Sequence, residues 1–173
     1  MSSPAGAIPY WALTLVYWLH MLATVIWIGG LVALNLLIIP AARPNLAAED
    51  YSRLLDHIQR RLDPLGWLSL AVLVGTGLFQ MSANPNYEGF LQVSNRWSQA
   101  ILVKHLVFLA MTGVSAYLTW VLLPGLRRLA LARAKGIRAA GLDQLERRER
   151  RFLRLNLVLG IAILGLTALA RAS

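Results

Sequence analysis

Three ionisable side chains stand inside long apolar runs of this 173-residue chain: His20, Lys104 and His105. Ionisable groups are costly in hydrocarbon, so those found there are functional candidates by default. His20 follows Tyr10 by ten residues, about 15 Å of helix, and His105 follows Trp97 by eight, about 12 Å. If both runs enter from one membrane face, the two imidazoles reach a similar level. Two imidazoles facing each other across a helix bundle can clamp a haem iron axially, or share a smaller metal ion. The plainer alternative is that each histidine hydrogen-bonds a carbonyl or hydroxyl of a neighbouring helix. Small residues follow His20 (Ala23, Thr24, then Gly29 and Gly30), and Trp27, two turns on, is placed to line the same cavity. Around His105, Phe108, Leu109 and Thr112 supply an apolar wall with one hydroxyl.

Lys104 lies seven residues into its run, and side chains on a helix lean toward its N-terminus, so the ammonium can snorkel to the surface. Its functional alternatives are a salt bridge to a cofactor carboxylate or a place as axial ligand. Arg96, near the rim, reads as an interface anchor or as the partner of a haem propionate. Met21, Met81 and Met111 offer soft thioethers suited to Cu(I), although isolated methionines in apolar helices are usually packing residues. His57 falls in an amphipathic, solvated segment. The chain has no cysteine, which excludes disulfides, c-type haem attachment, iron–sulfur clusters and thiolate zinc sites. Hydrolytic chemistry lacks a carboxylate inside any apolar run. Gly75-Thr76-Gly77 is not a phosphate loop, because no Gly-Lys-Ser/Thr follows it.

The elements that must position these residues are membrane helices. Hydrophobic residues make up 57% of the chain and charged residues 14%, against roughly 25% charged in soluble domains. A span needs about 20 apolar residues. Four runs qualify, at about 10–39, 64–83, 97–123 and 155–170, giving an all-α four-helix bundle in one transmembrane domain over residues 1–173. Pro40 and Pro44 are expected to close the first span, and Asp63-Pro64 to open the second. Asn84-Pro85-Asn86 should end the second span, and the third should stop before Pro124-Gly125. Gly160, Ala162 and Gly165 allow close packing of the fourth.

Charge then sets orientation. The first connection carries Arg43, Arg53, Arg60 and Arg61, and the third carries ten of the 17 Lys and Arg residues, between Arg127 and Arg154. Basic short loops stay cytoplasmic, so both termini are expected outside, in a bacterial-type inner membrane. This placement makes anionic lipid, not nucleic acid, the partner of the +9 net charge. In the first connection, Tyr51, Leu54, Leu55, Ile58 and Leu62 recur at helical spacing and predict an interfacial helix. The third connection is expected to extend the flanking helices, with a break near Gly136 or Gly141.

The stretch His20-Met-Leu-Ala23-Thr-Val25-Ile-Trp27-Ile-Gly-Gly30-Leu31 resembles the first-helix signature of the copper-resistance protein D (CopD) family, and is similar to that of the HemJ-type protoporphyrinogen oxidases. Thr76-Gly77-Leu78, Arg96-Trp97, Leu102 and Lys104 resemble further CopD-type positions. The CopD resemblance implies a four-helix membrane unit that handles copper across the inner membrane; the HemJ resemblance implies a b-type haem. HemJ-type proteins carry a Pro-Arg pair where this chain has Ala33-Leu34-Asn35, and the apolar residue that usually follows the lysine is His105 here. The sequence reading therefore leads to a membrane haem b protein of CopD-like fold. In it His20 and His105 ligate one iron, Lys104 and Arg96 stand near the propionates, and the role is electron transfer rather than substrate conversion. Copper transport using His20, His105, Met81 and Met111 is the first alternative. A cofactor-free accessory subunit of a larger membrane complex is the second.

Overall fold

A computed structural model describes residues 9–85, 87, 89, 96–134 and 141–172. Among them the chain is helical, without strands. The first rod comprises α1 (Tyr10–Val32), a π-helical segment (Ala33–Ile38) and α2 (Ile39–Asn45). The second is one helix, α3 (Ala48–Ser82). The third comprises α4 (Arg96–Tyr117), a second π segment (Leu118–Leu122) and α5 (Leu123–Ala134), and the fourth is α6 (Leu142–Ala172). All four are long and apolar enough to cross a membrane. The first rod's 36 residues span about 54 Å, well beyond a hydrocarbon core of about 30 Å, so its ends must project.

Prolines do not bound these rods as expected. The first rod runs through Pro40 and Pro44 to Asn45, and the third runs through Pro124. One device explains Pro40 and Pro124. Each stands two residues after the end of a π segment and directly follows the donor of its closing i→i+5 bond: Ile39 N–H to the Leu34 carbonyl, and Leu123 N–H to the Leu118 carbonyl. Proline's missing N–H and its clash with the carbonyl four residues back then fall where the hydrogen-bond register is already changing. Pro64 likewise lies inside α3 and does not open it. The amphipathic segment and the second span are therefore one continuous helix. Its apolar stripe is not laid on the lipid interface: Tyr51 and Leu55 are buried against Leu34, Ile39, Leu118, Leu122 and Leu153, which form the core.

The first rod packs along α3 and the third along α6, while α1 also meets α6. The second and third rods join through Trp67 and Trp120, stacked at 4.9 Å between centroids and 8° between planes, and through an ion pair of Asp56 with Arg127. The ring order is thus one, two, three, four, which sets the first and third rods diagonally. Leu15, Trp18, Val25, Leu106, Leu109, Val158 and Ile161 stay exposed, as lipid-facing positions should. Gly160 faces Ile28 of α1. After Ser82 the chain turns through Asn84, whose N–H bonds the Met81 carbonyl; Asn86 lies outside the described residues. α6 is preceded by Gly141 at φ +93°, a conformation that favours glycine. Gly136 lies outside the described residues.

Candidate functional site

His20 is held by α3. Its Nδ1 lies 2.8 Å from Thr76 Oγ1, and Thr76 donates its only hydroxyl hydrogen to the Val72 carbonyl at 2.5 Å. Because that hydrogen is spent, the imidazole must be the donor in the His20–Thr76 contact. The proton therefore sits on Nδ1, and in the neutral ring Nε2 keeps its lone pair. An oxygen fixing one ring nitrogen while the other stays basic is the arrangement that supports metal-ligating histidines. Thr24 adds a bond to the His20 carbonyl at 2.7 Å. Gly77 lies beside the ring: a Cβ there would meet Cε1 at 3.6 Å, an ordinary contact.

Two cationic side chains of other rods stand near this imidazole. Lys104 of α4 and Arg171 of α6 are close enough for their fields to act on His20, and Arg171 also acts on Lys104. Arg171 is kept there by Tyr17, whose ring lies 5.3 Å beneath the guanidinium carbon. All four rods thus contribute to one polar cluster, from Tyr17, His20, Thr76, Lys104 and Arg171. Arg96, the first residue of α4, is exposed.

His105 bonds backward along its own helix, Nδ1 to the Ile101 carbonyl at 2.7 Å, and so shares the Nδ1–H tautomer. Its rod is diagonal to that of His20, and the Nδ1 bonds of the two rings run to different elements, α3 for His20 and α4 for His105. Met81 and Met111 are buried at 8% and 2% exposure, whereas Met21 is 66% exposed on the lipid face. Among the described residues no three His, Asp or Glu side chains group to hold a metal ion.

Trp27 borders a cavity whose lining does not include His20. This cavity of ≈ 100 Å³ lies nearer the basic connections and is reached also by Gln59, Asp63, Ser115 and Asn156. The six-membered part of the Trp27 ring lies against Gly66 of α3, nearest at Cζ3. The sequence also holds Ser115 and Asn156, which were not among the candidate residues above. The available signal was an amide inside an almost purely aliphatic run. Gln59 and Glu149 were not among them either; their bond (2.8 Å) buries a carboxylate at the basic end.

Fold and cluster together define a multi-pass membrane protein with an imidazole fixed inside a four-helix bundle. A family model described as Copper resistance protein D matches residues 56–170, most of the chain, and the chain belongs to that family. No curated protein and no solved structure matches it. The matched stretch holds Thr76, Arg96 and Lys104 but begins after the first rod, so His20 rests on geometry and not on the match.

Proposed function

We propose that this protein binds and passes copper ions within the membrane, with His20 as the receiving ligand. The observation that carries the reading is the spent Thr76 hydroxyl, which leaves the His20 Nε2 lone pair as a donor inside the bundle. Imidazole and thioether suit Cu(I), and Met81, five residues beyond Thr76 on α3, and Met111 are the buried thioethers available. Lys104 and Arg171 make this a site of modest affinity, because nearby positive charge opposes a resident cation. That suits passage rather than storage. With both termini outside and the basic connections in the cytoplasm, the ion would meet His20 from the outer face of the inner membrane and move inward, with anionic lipid held at the basic loops.

A haem b held by His20 and His105 is the second reading, favoured by the Nδ1–H tautomer that both rings share. If it binds, the two Nε2 atoms would hold the iron, and a six-coordinate haem would supply electron transfer. Copper content and oxidised and reduced absorption spectra of the purified, detergent-solubilised protein decide between them. The expected result, with the protein equilibrated in excess Cu(I), is saturable binding of close to one copper per chain, weakened in His20→Ala, without a Soret band. A Soret band abolished by both His20→Ala and His105→Ala would install the haem instead. Neither copper nor haem, in protein made under replete conditions, refutes both readings and leaves an accessory subunit.

A further inference from the structure

Two buried polar atoms near the basic end have no partner among the described residues. Trp27 Nε1, a donor, and Asn156 Oδ1, an acceptor, are both enclosed without a hydrogen bond. Asn156 is only 2% exposed. Its other amide atom is committed: Nδ2 donates to Ser115 Oγ at 2.8 Å, and Ser115 in turn donates to the Met111 carbonyl at 2.9 Å. Protein interiors rarely leave such groups unmatched, and where they do, ordered water is the usual partner.

Both atoms belong to residues that line the ≈ 100 Å³ cavity. A water occupies about 30 Å³ in the liquid, so roughly three fit. The space is built by the fold. Leu34 of the first π segment and Leu118 and Thr119 of the second border it, and Gly66 lets the indole of Trp27 lie against α3. A π turn widens the helix locally and spoils close packing at its own level. Here two of them, on diagonal rods, border one gap. Most of the wall is apolar, and Asp63 and Gln59 add polar groups to it toward the basic connections.

We propose that this cavity is a water-filled vestibule, entered past Asp63 and Gln59 from the side of the basic connections and ending on Trp27 and Asn156. Its ligand is water, donating to Asn156 Oδ1 and accepting from Trp27 Nε1. The proposal is independent of what His20 binds. It shortens the apolar barrier, since Trp27 lies seven residues, about 10 Å of helix, from His20. Whatever crosses from the imidazole to the basic end has that distance to travel before it meets water.

The first test uses the unsubstituted full chain in lipid nanodiscs with 15N-labelled tryptophan. The Trp27 indole signal, identified by its loss in Trp27→Phe, should show magnetisation transfer from water. Absence of that transfer overturns the proposal. The second test locates the entrance and exploits the lack of native cysteine. A small charged methanethiosulfonate added on the side of the basic connections should modify Ser115→Cys at least tenfold faster than the lipid-facing Leu109→Cys. If Ser115→Cys fails to fold, Thr119→Cys replaces it. Modification no faster than at Leu109→Cys, or from the opposite side only, refutes the entrance.

Discussion

Replacing Gly66 by alanine should reverse sign depending on what stands at position 27. A Cβ built at Gly66 comes 2.7 Å from Trp27 Cζ3, 3.2 Å from Cε3 and 3.7 Å from Cη2. Carbon atoms prefer about 3.5–4.0 Å, so the indole must retreat by about 1 Å from a backbone that cannot yield. Overpacking of this kind costs about 1–3 kcal/mol. Helix propensity acts the other way, since alanine in place of glycine within a helix gains about 0.5–1 kcal/mol. The net expectation is a loss of about 1 kcal/mol for Gly66→Ala in the native background. In Trp27→Leu, where the ring is gone, the same substitution should instead gain the propensity term. Reversible unfolding in mixed detergent micelles, run as a double-mutant cycle, measures both arms, with a coupling of about 1–3 kcal/mol expected. A stabilising Gly66→Ala in the native background, or an equal loss in both backgrounds, would refute the ring-against-backbone account.

Four further outcomes follow from contacts already described. Thr76→Val, which removes the oxygen that fixes Nδ1 of His20, should weaken Cu(I) binding about 10- to 100-fold in a chelator competition, the usual effect of losing a ligand's supporting bond. Gly77→Ala should leave the unfolding midpoint at or slightly above its native value, because the new methyl meets His20 Cε1 at an ordinary 3.6 Å. Asn156→Leu should leave Ser115 Oγ without its donor and close off the acceptor in the cavity, lowering stability by about 1–3 kcal/mol in the same unfolding assay. Glu149→Gln keeps an acceptor for Gln59 Nε2 while removing a buried charge, so it should be neutral or stabilising; Glu149→Leu, which orphans the Gln59 amide, should cost about 1–3 kcal/mol.

The four rods were legible because hydropathy alone reports them: each apolar run found in the sequence makes up one part of a helix long enough to cross a bilayer. Their ends were not. Pro40 and Pro124 carry a helix-stopping signal that two π segments cancel, and π register has no sequence mark comparable to a proline. Depth was readable at about 1.5 Å per residue, and so His20 and His105 could be set at one level. Azimuth and rod order were not, and these decide that His20 meets Thr76. Trp27 illustrates the same limit. Seven residues nearly complete two turns, so it shares a helix face with His20, yet at about 10 Å of separation it borders a cavity whose lining does not include His20. Asn156 was visible throughout in Leu155-Asn156-Leu157. It went unweighed because attention to ionisable groups passes over an amide, although burying one without a partner is also costly.

The unbroken course of α3 gives Pro64 a mechanical meaning. Thr76 stands twelve residues beyond it, about 18 Å along the axis. A tilt of about 5° at the proline would sweep the threonine sideways by about 1.6 Å on that arm. The 2.8 Å contact with His20 does not survive so large a shift. Anything that leans on the projecting start of this helix, whether anionic lipid or a docked protein, therefore has leverage over the imidazole at the far end.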